Sequence, residues 1–391
     1  MLIDLFLVVG IAWAAGAAVD KLGYPPVLGE LAAGVLVGPP VLGWIEPSDG
    51  LSVLATVGII LLMLLAGLRA TPADVARNAP TALLPALAGL ALPMALGYGI
   101  VVGVEGGTPE AGLMVGVILG VTALATVSRI LIDLDLLSTP IGQRLMCVSL
   151  LEVILVLLAF AVVNGAVGGG GEPLAIVGLK AVAFLAGAVV VGQWVLTPLG
   201  QMLDRIGLLG HPGGFTFALT VGVGFAAASQ AAGLTFVPGA FLAGLFLSPE
   251  ALGRYHDATR DTIRDAGLGF LTPVFFFTAG FAADLTVLAR EPLLVGAVVA
   301  TGVLGKIGAG IVGLWPTKAS WREGAVLGAG MNGRGGIDVI LAGAALTGGL
   351  ITSDLFTALV ITTFAATLPV PVLLQKGIRW ASVEETAAPE A

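Results

Sequence analysis

The sequence predicts an all-α polytopic membrane protein with about 13 transmembrane helices, arranged as inverted-topology repeats with crossed discontinuous helices. Three observations predict this fold class: the composition, the spacing of apolar runs and an internal repeat. Of the 391 residues, 57% are hydrophobic and only 11% are charged, and the mean hydropathy is +1.05. Soluble domains have about 45–50% apolar and about 25% charged residues. The composition therefore excludes a water-soluble globular enzyme, and the abundant apolar residues exclude a disordered chain.

The composition also excludes several kinds of site and partner. A single cysteine, Cys147, excludes a disulfide framework and a multi-cysteine metal site. The net charge of −8 speaks against nucleic acid. The glycine run at 168–171 is not followed by the lysine of a phosphate-binding loop. We therefore expect no cofactor, no metal centre, no nucleic acid and no nucleotide-binding regulatory domain in this chain, with the lipid bilayer as its surroundings.

Apolar runs of membrane-spanning length recur along the chain. A bilayer core requires about 20 apolar residues per helix. Between proline, glycine and charged residues, thirteen such runs are found: 3–19, 25–45, 52–68, 80–104, 111–132, 143–167, 173–198, 213–233, 235–249, 266–285, 292–315, 321–348 and 353–376. The connections are too short for a soluble domain, and 379–391 is predicted to be a short acidic cytoplasmic tail.

The distribution of basic residues tests this number of spans. Cytoplasmic connections of membrane proteins carry an excess of lysine and arginine. The odd-numbered connections and the C-terminal flank carry thirteen basic residues, whereas the even-numbered connections carry only Arg290. The thirteen are Lys21, Arg69, Arg77, Arg129, Arg144, Arg205, Arg254, Arg260, Arg264, Lys318, Arg322, Lys376 and Arg379. The pattern predicts a bacterial-type inner (plasma) membrane protein whose N-terminus lies outside and whose C-terminus is cytoplasmic.

The chain also resembles itself at an offset of about 210 residues. The segment VLGELAAG at 27–34 recurs as VPGAFLAG at 237–244, and the polar stretch 122–126 falls on 332–336. Seven spans separate the copies, and because seven is odd the second copy enters the membrane from the opposite side. Inverted repeats of this kind are typical of secondary transporters. The predicted divisions are a first inverted repeat over 1–168, a linker helix and cytoplasmic loop over 169–212, a second inverted repeat over 213–378 and the tail.

Two equivalent spans are interrupted near their middle. Residues 122–128 in the fifth span and 330–336 in the twelfth are small, polar or glycine. Such backbone is tolerated in a bilayer where it lines a cavity or is buried in protein, and paired broken helices can form an ion site between their facing dipoles. The alternative is close packing through small residues, which fits the fifth span about as well. These stretches supply the candidate ion-binding residues Thr122, Thr126 and Ser128 and the structural polar residue Asn332.

Charged side chains within spans mark function by default because they are costly in a bilayer. Glu152 lies in the apolar run LLEVIL at 150–155, where a lone carboxylate must be protonated, paired or ion-bound. Lys306, in the eleventh span, is the natural counter-charge. Two interpretations follow: Glu152 exchanges a proton for a cation, or it forms a purely structural ion pair with Lys306.

Three further ionisable residues lie within spans. Arg334 and Asp338 are four residues apart and could share a helix face, but a break at 335–336 would let Arg334 neutralise exposed carbonyl ends instead. We expect this charge-compensating role for Arg334, and Asp338 is a candidate second titrating or cation-attracting group. Glu30 follows two prolines, and we expect a structural role for it, either capping backbone or tethering helices.

These motifs together resemble the cation/proton antiporter superfamily, in its Kef-type and NapA-type sodium/hydrogen exchanger branch. The resemblance extends over about 5–378 and is sharpest in the twelfth span, where the family usually has glutamate at the position of Asp338. The segments that carry it are GYPPVLGE at 23–30 with Gly38 and Pro39, TALATVS at 122–128 with Leu137 and Ser138, PVFFF at 273–277 with Gly280, Gly305 with Lys306, and MNGRG at 331–335.

The resemblance implies a homodimer of thirteen-helix protomers, each with a dimerisation scaffold and a mobile core that moves in an elevator-like cycle. It implies a secondary active transporter, not an enzyme, that exchanges a monovalent cation, Na⁺ or K⁺, for protons. One departure matters: the sixth-helix aspartate that holds the ion in the family aligns with Val153, next to Glu152. With one carboxylate, electroneutral exchange is expected.

Two alternatives remain open at this stage. The first is a proton-coupled exporter of an organic metabolite on the same scaffold, motivated by Val153. The second is a membrane-embedded enzyme with Glu152 as a buried general acid or base, which no nucleophile–base pair in the sequence supports.

Overall fold

A computed structural model describes residues 2–68, 72–136, 139–168, 174–210, 212–232, 234–317 and 319–385. The regular elements of these residues are all helical. The α-helices are α1 Leu2–Lys21, α2 Pro26–Val37, α3 Asp49–Leu68, α4 Pro72–Gly103, α5 Pro109–Leu119, α6 Leu124–Asp133, α7 Pro140–Gly168, α8 Leu174–Val190, α9 Thr197–Arg205, α10 Gly213–Ala231, α11 Phe236–Phe246, α12 Pro249–Leu252, α13 His256–Ala266, α14 Thr272–Ala279, α15 Val287–Arg290, α16 Pro292–Leu314, α17 Trp321–Gly330, α18 Gly336–Thr347, α19 Ser353–Thr367 and α20 Val370–Glu385. Some sequence features named above lie outside the described residues: Arg69, Leu137, Ser138, 169–171, Lys318 and 386–391.

The all-helical membrane architecture predicted from the sequence is confirmed. Within the described ranges, nine helical stretches are long and apolar enough to cross a membrane, and four shorter apolar helices, α2, α5, α11 and α18, accompany them. Each predicted span overlaps one of these stretches. The four short helices have 11 or 12 residues, and at about 1.5 Å per residue they cannot cross a core of about 30 Å alone. Thirteen complete crossings therefore stay a prediction.

The order of helices in the first half of the chain recurs in the second half. The short helix α2 lies about 210 residues before the short helix α11, and the broken pair α5 and α6 stands in the same relation to α17 and α18. Proline begins α5, directly after the cap Thr108, and a capping box between Ser320 and Glu323 begins α17. The division into two inverted repeats stays a prediction.

Chain contacts divide the protein into two compact units. The first contains the described residues within Met1–Ala14, Glu30–Arg77 and Ala161–Phe281. Its centre is α3, which packs against α11 and α14. A side chain at Gly67 of α3 would overlap the backbone of α11, and one at Gly58 would overlap the backbone at Leu271. Glycine at these positions lets the helices approach closely, as is typical of packing in membranes.

The second unit contains the described residues within Ala15–Gly29, Asn78–Phe160 and Ala282–Ala391. In this unit α16 packs against α17 and α19, and α17 packs against α20. The contact between α16 and α17 is again made by glycines, because a Cβ at Gly310 or Gly328 would overlap the facing backbone. Both broken helix pairs belong to this unit.

Three predicted boundaries differ from the structure. The interruption of the fifth span lies at 120–123 and overlaps the predicted stretch 122–128 only at 122–123, so that Thr126 and Ser128 lie in α6. The thirteenth span is divided at Leu368 and Pro369, because proline lacks the backbone donor needed to continue a helix. The predicted tail is partly helical, since α20 continues to Glu385.

Candidate functional site

The centre of the candidate site is a buried ion pair in the second unit. Glu152 on α7 and Lys306 on α16 have 0% of their side chains exposed. Lys306 Nζ donates a hydrogen bond to Glu152 Oε1 at 2.8 Å. The pairing that the sequence suggested for these two residues is therefore present, although they are separated by 154 positions in the chain.

Both cations of the site also bind the carboxyl end of α5. Lys306 Nζ donates to the carbonyl oxygen of Gly120 at 2.6 Å, and Arg334 donates to the carbonyl oxygen of Leu119 at 2.8 Å. Longer bonds of 3.4 Å join Arg334 to the carbonyl oxygens of Ile118 and Gly302. The last carbonyl groups of a helix have no donor within the helix. Here the buried side chains of Lys306 and Arg334 donate hydrogen bonds to them. This explains why α5 can end within the protein, a few residues before α6 begins.

The two interrupted stretches are hydrogen-bonded to each other. Ala123 N donates to the carbonyl oxygen of Gly333 at 2.8 Å, and Thr122 Oγ1 donates to the carbonyl oxygen of Met331 at 2.7 Å. Backbone groups that an unbroken helix would pair internally thus find partners in the other stretch. This satisfies the condition under which irregular backbone is stable away from water.

Asp338 caps the second broken pair. It lies in the first turn of α18, where a negative charge interacts favourably with the helix dipole. Its Oδ1 accepts from Gly335 N at 3.1 Å, and its Oδ2 accepts from Thr363 Oγ1 at 2.6 Å. Both carboxylate oxygens therefore have partners. These contacts describe a capping residue, and a titrating role for Asp338 stays a prediction.

Glu152 differs from Asp338 because one of its oxygens is unused. Glu152 Oε2 is buried and has no hydrogen-bond partner within the described residues. The Thr122 hydroxyl lies beside this carboxylate, but its one proton is donated to Met331. A buried carboxylate oxygen without a donor is costly. It is therefore the atom of this site at which a proton or a cation would bind most favourably.

The remaining predicted residues take different positions. Asn332, 1% exposed, donates through Nδ2 to the carbonyl oxygens of Val303 and Gly328, and its structural function stays a prediction. Thr126 is buried next to Gly335, where an added Cβ would lie 2.6 Å from its Oγ1, and Ser128 is partly buried on α6. Glu30 lies on α2, in the first unit.

Sequence reasoning missed three residues of the site. A Cβ at Gly89 of α4 would overlap Glu152 Oε1 and the methyl group of Met331, so a side chain at this position would require the end of the Glu152 side chain to move. Thr363 and Thr367 on α19 bind Asp338 and the backbone of Arg334. The sequence could have indicated Thr363 and Thr367, because they are polar residues in an apolar span. Nothing in the sequence distinguishes Gly89 from the other glycines.

The site offers few ligands for a resident metal ion. No group of three or more histidine, cysteine, aspartate or glutamate side chains comes together in the described part of the chain. Val153, next to Glu152, is 3% exposed and apolar. The arrangement is therefore one buried carboxylate with a lysine partner, held between two interrupted helices.

Comparison with protein families gives one match over nearly the whole chain. The model of the family described as sodium/hydrogen exchanger, transmembrane, matches residues 6–376. Among curated relatives, the Na⁺/H⁺-K⁺ antiporter GerN of Bacillus cereus is 31% identical over 364 residues, covering 92% of both chains. The Na⁺/H⁺ antiporter of Enterococcus hirae is 25% identical and covers 91% of this chain and 92% of its own.

A solved structure shares the fold. The sodium proton antiporter MjNhaP1 from Methanocaldococcus jannaschii, determined at pH 8, superposes with a TM-score of 0.74 at 19% identity. The superposition covers 97% of each chain. At this identity, the likeness establishes the shared arrangement of helices.

Proposed function

The chain belongs to the sodium/hydrogen exchanger family, and on this premise we propose that it exchanges a monovalent cation, Na⁺ or K⁺, for protons across a membrane. The single observation that carries the proposal is the free oxygen of Glu152, buried beside the two interrupted helix pairs. The names of relatives that align along nearly their full length, Na⁺/H⁺-K⁺ and Na⁺/H⁺ antiporters, support the choice of ions.

Competition at one carboxylate provides the exchange. A proton bound to Glu152 neutralises the group, and so does a partly dehydrated monovalent cation, but the two cannot occupy the same oxygen. Lys306 also donates to the carbonyl oxygen of Gly120, and this bond does not require a charge on Glu152. The lysine therefore stays near the site, where its positive charge opposes binding of a cation without a compensating negative charge.

We propose electroneutral exchange because the site has one carboxylate. The family has acidic or polar residues at two adjacent positions of the sixth helix, and here only the first of them, Glu152, carries a charge. Val153 adds no charge next to Glu152. One proton and one monovalent cation carry the same charge, so that a cycle through a single carboxylate moves no net charge. Asp338 does not add a second exchanging group in this proposal, since both of its oxygens are hydrogen-bonded.

Alternating access would then carry the loaded site from one side of the membrane to the other. The family resemblance supports an elevator-like movement and a homodimer, and the distribution of basic residues supports a cytoplasmic C-terminus in the inner membrane. A transporter fits the site better than an enzyme does, because the two groups beside Glu152, the Thr122 hydroxyl and the Lys306 ammonium, both donate hydrogen bonds to backbone carbonyls. Export of an organic metabolite rests only on Val153, and the relatives named for inorganic cations weigh against it.

The test is transport by the purified protein in proteoliposomes that enclose a pH-sensitive dye. With an inward proton gradient, pulses of NaCl, KCl or LiCl should make the lumen more alkaline, and choline chloride should not. An imposed membrane potential should leave the initial rate unchanged. Flat traces with all three salts, in vesicles with verified insertion, would contradict the proposed exchange. A rate that follows the membrane potential would contradict electroneutrality alone.

A further inference from the structure

A methionine covers the carboxylate of the candidate site. Met331 follows the last residue of α17 and has 0% of its surface exposed. A Cβ at Gly89 would overlap both the methyl carbon of Met331 and Glu152 Oε1, so these two atoms crowd the same point and lie side by side. All three residues belong to the second unit. The proposed exchange assigns no part to the Met331 side chain.

The main chain of Met331 is fixed, whereas its side chain is adaptable. The carbonyl oxygen of Met331 accepts a hydrogen bond from Thr122 Oγ1 at 2.7 Å, and its backbone N–H donates to the carbonyl oxygen of Leu327 at 2.9 Å. A methionine side chain is unbranched, has three rotatable bonds and adapts to irregular gaps. The thioether therefore fills the space beside Glu152 without being tied there by a strong hydrogen bond.

Two oxygens next to the Met331 side chain remain available to a cation. Glu152 Oε2 has no partner within the described residues. Thr122 Oγ1, beside the same carboxylate, donates its proton to Met331 but keeps its lone pairs. A dehydrated Na⁺ or K⁺ requires oxygen ligands in place of its hydration shell, so water must supply the others. The methyl group of Met331 cannot act as a ligand and occupies room that such water would need.

The space beside Glu152 therefore decides which cation fits. Selectivity between ions of equal charge follows the size of the cavity and the number of ligands that it admits. K⁺ is larger than Na⁺ and is surrounded by more oxygens, so a loss of room disfavours K⁺ more. The surroundings are closely packed, since Glu152 and Thr122 are 0% exposed and Val153 is 3% exposed.

We propose that Met331 is a specificity-determining residue, whose side chain restricts the site to the small cations Li⁺ and Na⁺ and disfavours K⁺ and Rb⁺. The volume of the side chain has this effect, and its sulfur does not, because a thioether is a soft ligand whereas alkali cations prefer oxygen. The effect on transport rests on the proposed function, whereas the effect on binding requires only that a cation binds at Glu152.

Thermal unfolding of the purified protein measures binding without transport, because a cation that binds the folded state raises the unfolding temperature. In the wild type, LiCl and NaCl should raise it more than KCl and RbCl do, relative to choline chloride at the same ionic strength. In Met331→Ala the ratio of the Kd for K⁺ to the Kd for Na⁺ should fall by about tenfold, an effect typical of a small change in pocket volume.

Two control variants separate volume at this position from general loosening of the core. Met331→Leu conserves the volume of the side chain, a change that packed interiors tolerate well, and should keep the wild-type ratio. Met114→Ala truncates another fully buried methionine of the same unit and should also keep it. Met331→Val is a smaller truncation and should shift the ratio in the same direction as Met331→Ala, which matters if the alanine variant does not fold.

Transport in dye-containing proteoliposomes completes the test, where the ratio of the KM values for K⁺ and Na⁺ should fall in Met331→Ala and stay unchanged in Met114→Ala. The inference would be overturned by a wild type that prefers K⁺, by no stabilisation with any of the four cations, or by an unchanged ratio in both truncations. An equal shift in Met331→Leu or Met114→Ala would also overturn it. A wild-type protein that binds Na⁺ but exchanges no cation would contradict the proposed function and leave the role of Met331 in binding standing.

Discussion

Lys306 Nζ lies 2.8 Å from Glu152 Oε1, in an ion pair with no exposed surface, while Glu152 Oε2 has no partner in the described structure. One carboxylate oxygen of Glu152 is thus held by Lys306, and the other is available to a further partner. A purely structural ion pair would be more stable with both oxygens satisfied. The contact therefore favours a carboxylate whose second oxygen is reserved for a proton or a cation.

Removing the charge of Glu152 should abolish exchange. In Glu152→Gln the amide retains the size of the side chain but cannot release a proton or neutralise a cation. We expect no alkalinisation above that of empty vesicles in the dye assay. Glu105→Gln, which changes an exposed acid of the same unit, should exchange at the wild-type rate. Exchange by Glu152→Gln at the parental rate would show that the site is assigned incorrectly.

Breaking the ion pair from the other side should destabilise the fold. Lys306→Gln leaves the Glu152 charge buried without a counter-charge, which typically costs about 3–5 kcal/mol. Thermal unfolding in detergent should occur at a clearly lower temperature than for the exposed control Lys376→Gln. The double variant Glu152→Gln, Lys306→Gln should recover part of the loss. Additive losses in the double variant would mean that the two residues are not energetically coupled.

The close approach of α4 to Glu152 should make the exchange rate sensitive to a side chain at Gly89. A methyl group in Gly89→Ala would overlap the carboxylate and displace it from Lys306. Because small displacements of reacting groups are costly, we expect the exchange rate to fall by roughly tenfold or more. At Gly99, on the same helix, a methyl group would meet no described atom within 4 Å, and Gly99→Ala should therefore exchange normally. Equal rates for the two variants would argue against a positioning role of Gly89.

A second acid should change the charge carried per cycle. Val153→Asp places a carboxylate next to Glu152, so that two protons can be exchanged against one monovalent cation. We expect exchange that responds to an imposed membrane potential, measured with the pH dye. Val153→Asn matches the size without the charge and should remain insensitive to potential. A potential-independent Val153→Asp that still exchanges would indicate that the added acid does not take part.

One hydrogen-bonded acid, two residues beyond the apolar stretch Pro249–Ala282, should give the fold a measurable pH dependence. Hydrogen bonds from Thr286 Oγ1 and N hold the pKa of Asp284 below its usual range, and the charge of Arg290 adds to this. A lowered folded-state pKa stabilises the fold above the unfolded pKa, and this contribution is lost as the pH falls through the folded value.

Thr286→Val should therefore lower the unfolding temperature near neutral pH, and the difference from wild type should shrink below about pH 4. The control Thr347→Val removes a hydroxyl that donates to a backbone carbonyl, which does not titrate, so its effect should not change with pH. A Thr286→Val difference that stays constant down to acidic pH would exclude this origin.

The sequence by itself determined the class of fold and most of the important residues. Apolar runs identified the helices because a bilayer demands long apolar segments, and charged side chains within them were few enough to suggest Lys306 as the counter-charge of Glu152. Glycine and polar residues located both interruptions to within a few residues.

Only the tertiary structure decided how these residues act. The end of α5 is stabilised by Lys306 and Arg334, which lie almost 200 residues or more after the carbonyl groups that they bind. No local sequence pattern contains that information. The importance of Gly89 and the difference between the satisfied Asp338 and the half-free Glu152 likewise depend on contacts between distant helices. Hydrogen bonds and steric exclusion act over a few ångströms in space, whereas a sequence records only neighbours along the chain.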